Sequence, residues 1–286
     1  MNNQKLFNED KAYAEALNFA QSHYENFPVI SFFVPKDLRK HIAIIYWFAR
    51  TADDFADEGK FSESERTEKL NQFEDRLNET LKGNYTDGFD FALHKTITEK
   101  KLSPNHFYAL ISAFKQDVFK KRYLNYKEVL DYCSRSANPV GRIILELYGI
   151  INDEANSYSD KICTGLQIAN FYQDVKIDFA KNRIYIPQNE MEKFGVYEKQ
   201  FELKQNNLKF KKLMRFQIER NKKLFSDGKP LLHYLQGKLK FQISWTILGG
   251  EKILEEIEKI DYDVLSIRPK LNKIDYFSLM LKSFFI

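Results

Sequence analysis

The pattern of apolar positions along the chain is helical almost from end to end. Apolar residues recur every three or four positions, and no segment alternates at period two for long enough to build a sheet. We therefore expect one all-α domain that spans residues 1–286. The pattern predicts helices at Asn8–Asn26, Lys36–Asp54, Ser62–Lys82, Phe89–Lys100, Pro104–Lys120, Tyr126–Gly149, Asn152–Lys181, Glu190–Phe194, Leu208–Phe225, Pro230–Gly237 and Gln242–Ile260.

Local signals mark several of the predicted ends. Ser103 before Pro104 is typical of a helix start, because serine caps the helix and proline fits its first turn. Gly83 and Gly149 stand where helices should stop. Residues 181–187 (KNRIYIP) predict an extended loop after a long helix.

Composition narrows the classes of function. The 25 Phe and 16 Tyr predict a large apolar interior that suits an apolar ligand. A net charge of +4 is too small to indicate a nucleic-acid partner, and 2 Cys cannot form a disulfide scaffold. No apolar run approaches the roughly 20 residues that span a bilayer, and residues 1–10 lack the apolar core of a signal peptide. We therefore expect a cytoplasmic protein.

The first candidate for chemistry follows the strongly apolar run Ile42–Ala49. Asp53 and Asp57 lie four residues apart, so their carboxylates share one helix face beyond Arg50. Like charges at this spacing repel and need a compensating cation, for which Mg²⁺ is suited because it prefers carboxylate oxygens. The alternative is a charged helix end in water.

A second polar stripe lies in the helix predicted over residues 152–181. Asn170, Asp174 and Asp178 repeat every four residues, with Gln167 one turn earlier, which places three oxygen ligands on one face. A solvated surface stripe is the alternative, but the apolar residues between the polar ones favour burial. A buried polar stripe needs partners, and a metal–anion complex would supply them.

Two acidic helices of this kind predict a site for a diphosphate. Carboxylates reach a diphosphate through bridging Mg²⁺, and Arg50 and Arg183 could clamp its oxygens. Metal and arginine would together promote loss of the diphosphate from carbon, and aromatic side chains suit the resulting cation. The pattern therefore indicates isoprenoid diphosphate chemistry.

A third segment, Tyr132–Arg142, combines small side chains with a proline. Pro139 inside a helical pattern predicts a kink, and Ser136 and Gly141 allow close approach by a ligand or by another helix. A plain contact between two helices explains the segment equally well.

Taken together, the motifs resemble those of the squalene/phytoene synthase family along nearly the whole chain. The resemblance is carried by Tyr46-Trp-Phe-Ala-Arg50 with Asp53 to Asp57, by Tyr132 to Gly141, and by Asp174-Val-Lys-Ile-Asp178 with Arg183-Ile-Tyr185-Ile-Pro187. Within the family, hydroxysqualene synthases are most similar in His23–Val29, Ser136–Gly141 and Asn170–Asp174. The tail from Gly249 to Arg268-Pro269 is shared with the related presqualene diphosphate synthases.

The resemblance implies an isoprenoid synthase helical bundle with a central cavity between the two acidic helices. The Mg²⁺ ligands that it implies are Asp53, Asp57, Asn170, Asp174 and Asp178. The residues that the resemblance implies as binding the substrate or its diphosphate are Arg50, Arg183, Tyr185, Tyr46, Phe27, Asn26, Gln167, Asn170 and Gln173. Tyr132 and Ser136 join the aspartates as catalytic residues.

Two positions depart from the family pattern. Gln173 stands where many members carry arginine, and Tyr24-Glu25-Asn26 stands where many carry small basic or hydroxyl residues. Both changes alter groups near the expected diphosphate site, which weakens the case for the first condensation of two farnesyl diphosphates. The expected activity is that of a hydroxysqualene synthase in squalene and hopanoid biosynthesis, which converts presqualene diphosphate and water to hydroxysqualene and diphosphate.

Other functions remain as alternatives. Within the family, the product could be presqualene diphosphate, squalene, dehydrosqualene or phytoene. The chain has no Gly-x-Gly-x-x-Gly sequence, which disfavours a reductive route. A non-catalytic lipid-binding or assembly protein of the same fold is an alternative of another class. Four aspartates and two arginines argue against it, because a scaffold has no need of repelling carboxylate pairs.

An alcohol product requires one water in an otherwise dry cavity. The side chains expected to hold this water are Ser136, Asn138, Gln167 and Gln173, and Ser136 is the sharpest candidate. The alternative for Ser136 is a hydrogen bond to a carbonyl one turn back, which serine often makes in helices.

The chain also suggests peripheral contact with the inner face of a membrane. Leu203–Phe225 carries eight Lys and Arg against Glu219 alone, interleaved with apolar residues, and Tyr276–Ile286 is strongly apolar. An ordinary packed helix with a solvated basic face explains the first segment at least as well. Contact with other enzymes of the squalene pathway is a further expectation.

Overall fold

The computed structural model describes residues 7–23 and 34–285. Most of these residues lie in helices, and none of them lies in a β-strand. The prediction of an all-α fold is confirmed. The α-helices are α1 Glu9–Ser22, α2 Lys36–Asp57, α3 Glu63–Leu81, α4 Gly88–Glu99, α5 Pro104–Phe119, α6 Tyr126–Ser136, α7 Asn138–Leu147, α8 Asp153–Gln173, α9 Val175–Ala180, α10 Gln188–Phe194, α11 Glu198–Glu202, α12 Leu208–Gly228, α13 Gly237–Lys259 and α14 Lys273–Lys282. Two short 3₁₀ helices cover Lys229–His233 and Ser283–Phe285.

The chain divides into two compact units. The first unit is Met1–Phe119 with Ile143–Ile150, and the second is Lys120–Arg142 with Ile151–Ile286. The first acidic motif therefore belongs to the first unit, and the second acidic motif belongs to the second.

Helix α2 is the centre of the first unit. It packs against α1, α3, α4 and α5, as its nearly all-round apolar sequence predicts. The ring of Phe48 lies 5.0 Å from that of Phe73 and 5.1 Å from that of Phe107, measured between centroids. Ala52 and Ala56 are also buried, so packing continues past the predicted end of the helix. The whole first acidic motif consequently lies inside α2.

Helix α8 is the centre of the second unit and packs against α6, α12 and α13. Helix α13 approaches closely, because a Cβ atom built on Gly250 would lie only 2.6 Å from Cζ of Phe225 on α12 and 2.8 Å from Cδ2 of Leu166 on α8. Helix α12 turns its apolar residues into this core, where Phe210 and Leu213 are fully buried. The basic segment therefore buries its apolar residues in this core, while basic side chains such as Lys209, Lys212 and Lys223 stay exposed.

Several predicted helix boundaries were wrong. The helix expected over residues 126–149 breaks at Ala137 into α6 and α7, next to the kink predicted from Pro139. The helix expected over residues 152–181 breaks at Asp174. Helices α11 and α14 were not predicted, and α13 begins five residues early. The first half of the helix expected at Pro230–Gly237 is a 3₁₀ turn. Short helices and turns of this kind depend on tertiary packing more than on periodicity.

Candidate active site

In the first acidic motif, Arg50 forms ion pairs with aspartates of the same helix. Arg50 Nη2 lies 2.6 Å from Asp54 Oδ1, and Arg50 Nη1 donates to Asp53 Oδ2 at 3.3 Å. Both pairs follow from helical spacing, since residues three and four apart share a face. Arg50 Nε is buried and has no hydrogen-bond partner among the described residues. Asp54 was not among the predicted ligands, although it stands inside the motif.

Tyr46 lies one turn before Arg50 on α2. Its hydroxyl donates to the backbone carbonyl of His23 at 3.2 Å, and burial raises the pKa of the phenol. The ring of Phe19 lies 6.3 Å from Tyr46 and stacks on Trp47 at 5.0 Å. Aromatic surface therefore adjoins the first acidic motif. The predicted substrate-binding residues Asn26 and Phe27 lie outside the described residues.

The second acidic motif sits at a break between two helices. Asp174 ends α8 and begins α9, with φ −102° and ψ 12°. Its amide donates to the Asn170 carbonyl at 2.9 Å, and its carbonyl accepts from the Asp178 amide at 2.8 Å, so helical hydrogen bonding continues through the break. The expected four-residue repeat is preserved, but Asn170 is exposed, and the expectation of a buried stripe is wrong there.

Arg268 is a site residue that the sequence analysis missed. Its Nε donates to Asp174 Oδ1 at 2.5 Å and its Nη2 donates to Asp174 Oδ2 at 3.1 Å, a bidentate pair. This hydrogen bonding raises the pKa of Arg268. In the sequence, Arg268-Pro269 is only part of the family resemblance. The sequence does not indicate which carboxylate Arg268 contacts.

Two further hydrogen bonds fasten the same C-terminal segment to the second motif. Gln173 Nε2 donates to the Pro269 carbonyl at 2.8 Å, and Lys176 Nζ donates to the Ser266 carbonyl at 2.9 Å. Gln173 was expected to hold a water. Its amide nitrogen anchors the segment that carries Arg268, and the expected role stays a prediction.

An aromatic cluster lies beside the second motif. Tyr185 stacks on Phe171 with centroids 3.7 Å apart and rings almost parallel. Tyr123 stacks on the same tyrosine at 5.5 Å, and Tyr132 lies 6.0 Å from it. Tyr123 was not predicted, because it precedes α6 without any helical pattern of its own. Aromatic faces stabilise cations, so this cluster suits a carbocation.

The loop that carries Arg183 is held by Arg122. Asn182 has a left-handed backbone with φ 59°, and Arg122 donates to its carbonyl at 2.5 Å and to its side-chain oxygen at 2.9 Å. The Ile184 amide donates to the Lys121 carbonyl at 3.0 Å, which confirms the predicted extended loop. The Arg183 amide donates to the Asp178 carbonyl at 2.8 Å and so ties the loop to the second motif.

The residues expected to hold water differ in their bonding. Asn138 Oδ1 accepts from Thr164 Oγ1 at 2.9 Å and is therefore engaged. Ser136 Oγ is buried and has no hydrogen-bond partner among the described residues. The alternative, in which Ser136 bonds a carbonyl one turn back, is wrong. A buried hydroxyl without a partner is costly and indicates a place for a polar ligand.

The acidic motifs supply oxygen donors but no preformed cage. Among the described residues, no three His, Cys, Asp or Glu side chains are grouped closely enough to hold a metal ion. Mg²⁺ at phosphate sites is typically held by one or two carboxylates together with phosphate oxygens and waters. Paired carboxylates such as Asp53 with Asp57, or Asp174 with Asp178, fit that kind of binding, and the unpartnered Arg50 Nε offers a donor to a phosphate.

An all-α fold with two acidic motifs, arginines and an aromatic cluster defines an enzyme that acts on an isoprenoid diphosphate. The sequence model of the squalene/phytoene synthase family matches residues 20–275, so the chain belongs to this family of isoprenoid synthases. The family carries out head-to-head prenyl synthesis and is generally metal-dependent. The predicted family and enzyme class are confirmed.

Individual relatives point in the same direction. The chain is 31% identical to hydroxysqualene synthase of Rhodopseudomonas palustris over 266 residues, covering 92% of this chain and 89% of the relative. It is 31% identical to hydroxysqualene synthase of Sinorhizobium fredii over 246 residues, covering 85% and 82%. Squalene synthase HpnC from Alicyclobacillus acidocaldarius superposes with a TM-score of 0.83 at 34% identity, covering 88% of this chain and 95% of HpnC.

Proposed function

We propose that the protein is a hydroxysqualene synthase. The carbon–oxygen bond of presqualene diphosphate breaks and its electron pair leaves with the diphosphate. The cyclopropylcarbinyl cation that remains rearranges, and a carbon–carbon bond of its three-membered ring breaks. A water oxygen then bonds to the rearranged cation and loses a proton to solvent, giving hydroxysqualene. The observation that carries this proposal is the 31% identity to a relative of that name across 92% of the chain.

Mg²⁺ is the metal that this proposal requires. Asp53 and Asp57 in the first unit would be one pair of Mg²⁺ ligands. Asp174 and Asp178 in the second unit would be another pair, with Asn170 as a further oxygen ligand. When bound, Mg²⁺ would neutralise the charge that builds up on the departing diphosphate. Hard carboxylate oxygens in pairs are the donors this ion prefers.

The arginines would bind the leaving group, and the aromatic rings would stabilise the cation. Arg50 and Arg183 would bind diphosphate oxygens, and the buried Arg50 Nε supports this role for Arg50. The ring cluster formed by Tyr132, Phe171 and Tyr185 would face the cation and exclude water from most of it.

Product analysis tests the proposed reaction. Purified protein is given presqualene diphosphate and Mg²⁺, with and without NADPH, and the product is identified by mass spectrometry. We expect hydroxysqualene in both reactions. Squalene formed only with NADPH, presqualene diphosphate formed from farnesyl diphosphate, or a C40 product from geranylgeranyl diphosphate would assign another activity of the family.

Ser136 is proposed to position the attacking water, because its buried hydroxyl has no partner within residues 7–23 and 34–285. Ser136→Ala should lower the ratio of alcohol to hydrocarbon products about tenfold, the scale of one lost hydrogen bond. Ser134→Ala is the matched control, since this exposed serine on the same helix bonds only the Asp131 carbonyl. An unchanged ratio in Ser136→Ala would remove this role and leave the proposed reaction standing.

We also propose peripheral contact with a membrane on the cytoplasmic side, where an apolar C30 product and other enzymes of the pathway would meet. No helix in the described part of the chain is long and apolar enough to cross a membrane. The apolar side of α12 is buried, so such contact requires another surface.

A further inference from the structure

Helix α14 carries an apolar face that its own unit leaves exposed. Ile274 is 79% exposed, Phe277 60% and Leu281 46%, and their spacing of three and four residues places them on one side of the helix. Phe284, three residues further on, is 67% exposed. Leu279, on the opposite side, is buried, and α14 packs against α13. We name the four exposed residues the α14 face.

The α14 face is flanked by positive charge. Lys270, Lys273 and Lys282 are exposed, and none makes an ion pair with another of the residues that the structure describes. Asp275, in the first turn of α14, is a nearby acid, and its carboxylate caps the helix by accepting the Asn272 amide at 2.9 Å. Three lysines against one carboxylate leave a net positive charge around the apolar residues.

Such a grouping differs from the other exposed apolar residues of the second unit. Ile151 is as exposed, but it stands apart in the chain, and isolated apolar residues are ordinary on protein surfaces. Leu203 and Leu208 are also exposed, but they flank the turn between α11 and α12 and share no helix face. The α14 face instead has an apolar helix side, aromatic rings and lysines, which is the composition of helices that lie in a membrane interface.

We propose that the α14 face docks on a lipid bilayer that carries anionic headgroups. Its apolar side chains would enter the boundary of the acyl chains, while the lysines extend to the headgroups on their flexible stems. A second copy of the chain is a poorer occupant, because a two-fold contact would bring the same lysines together. This inference deepens the membrane contact proposed above, but it depends on the surface and not on the product.

Vesicle flotation with the full-length protein tests the docking. Vesicles of phosphatidylcholine mixed with phosphatidylglycerol should bind the protein at low salt, and binding should weaken at high salt. Ile274→Ser combined with Phe277→Ser should reduce binding at least about tenfold. Lys273→Gln should reduce it about fivefold. The matched controls Ile151→Ser and Lys223→Gln, at exposed positions away from α14, should bind like the wild type.

The same experiment can overturn the inference. No flotation of the wild type with mixed vesicles, equal binding to pure phosphatidylcholine, or unchanged binding of the double variant would each contradict it. Self-association that the double variant abolishes, without vesicle binding, would assign the face to a second copy. Thermal melting should be unchanged, because the altered side chains are exposed. Turnover of detergent-dispersed presqualene diphosphate separates failure of docking from failure of the proposed reaction.

Discussion

At the scale of single residues, the pairing of Arg268 with Asp174 is the main addition to the site. The two residues stand 94 positions apart in the chain, yet they form a bidentate ion pair. A guanidinium at this distance offsets the charge of a carboxylate that would otherwise repel Asp178. Arg268 therefore lowers the net negative charge of the second motif, which is the proposed binding site for a metal and a diphosphate.

We expect Arg268→Gln to lower kcat/KM about 10- to 100-fold, because it removes one charge-assisted pair from the site. Arg268→Lys should recover only part of the loss, since lysine cannot make the bidentate pair. Steady-state kinetics at several Mg²⁺ concentrations measure both effects. Lys270→Gln removes an exposed charge two residues away and serves as the control. Wild-type kinetics in Arg268→Gln would contradict a role in the site.

His41 is a buried residue whose ionisation should affect the stability of the first unit. Its ring bonds Thr96 Oγ1 at 2.9 Å, and burial, reinforced by Lys100 and Lys40, lowers its pKa to about 4. The fold therefore favours neutral His41, whereas the unfolded chain protonates it near the ordinary value of about 6.5. The contribution to stability is full above pH 6.5 or so and is lost as pH falls toward about 4.

Between pH 7 and pH 5, His41 should account for roughly 2 kcal/mol of lost stability. Denaturant unfolding at both values measures the loss. His41→Asn, which cannot titrate, should show a smaller loss by about that amount, whatever its own stability. His233→Asn, at an exposed position, should keep the wild-type dependence. Equal pH dependence in wild type and His41→Asn would refute the assignment.

At the scale of helices, the approach of α7 to α8 depends on a missing side chain. A Cβ built on Gly141 would lie 2.5 Å from Cys163 Sγ and closer still to Ser159 Oγ. Arg142, the next residue, forms a bidentate pair with Asp160 on α8, with distances of 3.0 and 2.6 Å. The prediction that small residues here permit close approach is confirmed, and the partner is a helix.

Gly141→Ala should destabilise the protein by about 1 to 3 kcal/mol, because overpacking forces the two helices apart. Gly249→Ala is the matched control, since a Cβ at this position inside α13 meets nothing within 4 Å. That substitution should leave stability unchanged or raise it by up to about 1 kcal/mol. Denaturant unfolding compares the two, and equal effects would show that the contact is not tight.

At the scale of the whole molecule, each compact unit contributes one acidic motif. Asp57 belongs to the first unit and Asp174 to the second, in folds that are separately packed around α2 and α8. The proposed metal chemistry needs carboxylates of both, so damage to either unit's motif should stop the reaction while both cores remain intact.

Asp57→Asn and Asp174→Asn should each lower turnover at least about 100-fold, the range for loss of one strong electrostatic stabiliser. Thermal melting of Asp57→Asn should change little, because neutralising one member of a repelling pair rarely destabilises. Asp174→Asn also loses the bidentate pair with Arg268 and should melt at a lower temperature, still as a folded protein. Excess chelator should abolish wild-type turnover, and added Mg²⁺ should restore it. Asp227→Asn, at an exposed position on α12, is the control. Full activity in either variant or in chelator would contradict the metal assignment.

The sequence by itself determined the helical class, most helix positions and the two acidic motifs, because these depend on local spacing. Tertiary packing alone decided the pairing of Arg268 with Asp174, the stacking of Tyr123 on Tyr185, the burial of the apolar side of α12 and the exposure of α14. Each of these joins or separates segments far apart in the chain, and helical periodicity records which side of a helix is apolar but not what covers it. The surroundings of the helix break at Asp174 were also decided by tertiary packing, since the fold of the C-terminal segment brings Arg268 to the Asp174 carboxylate.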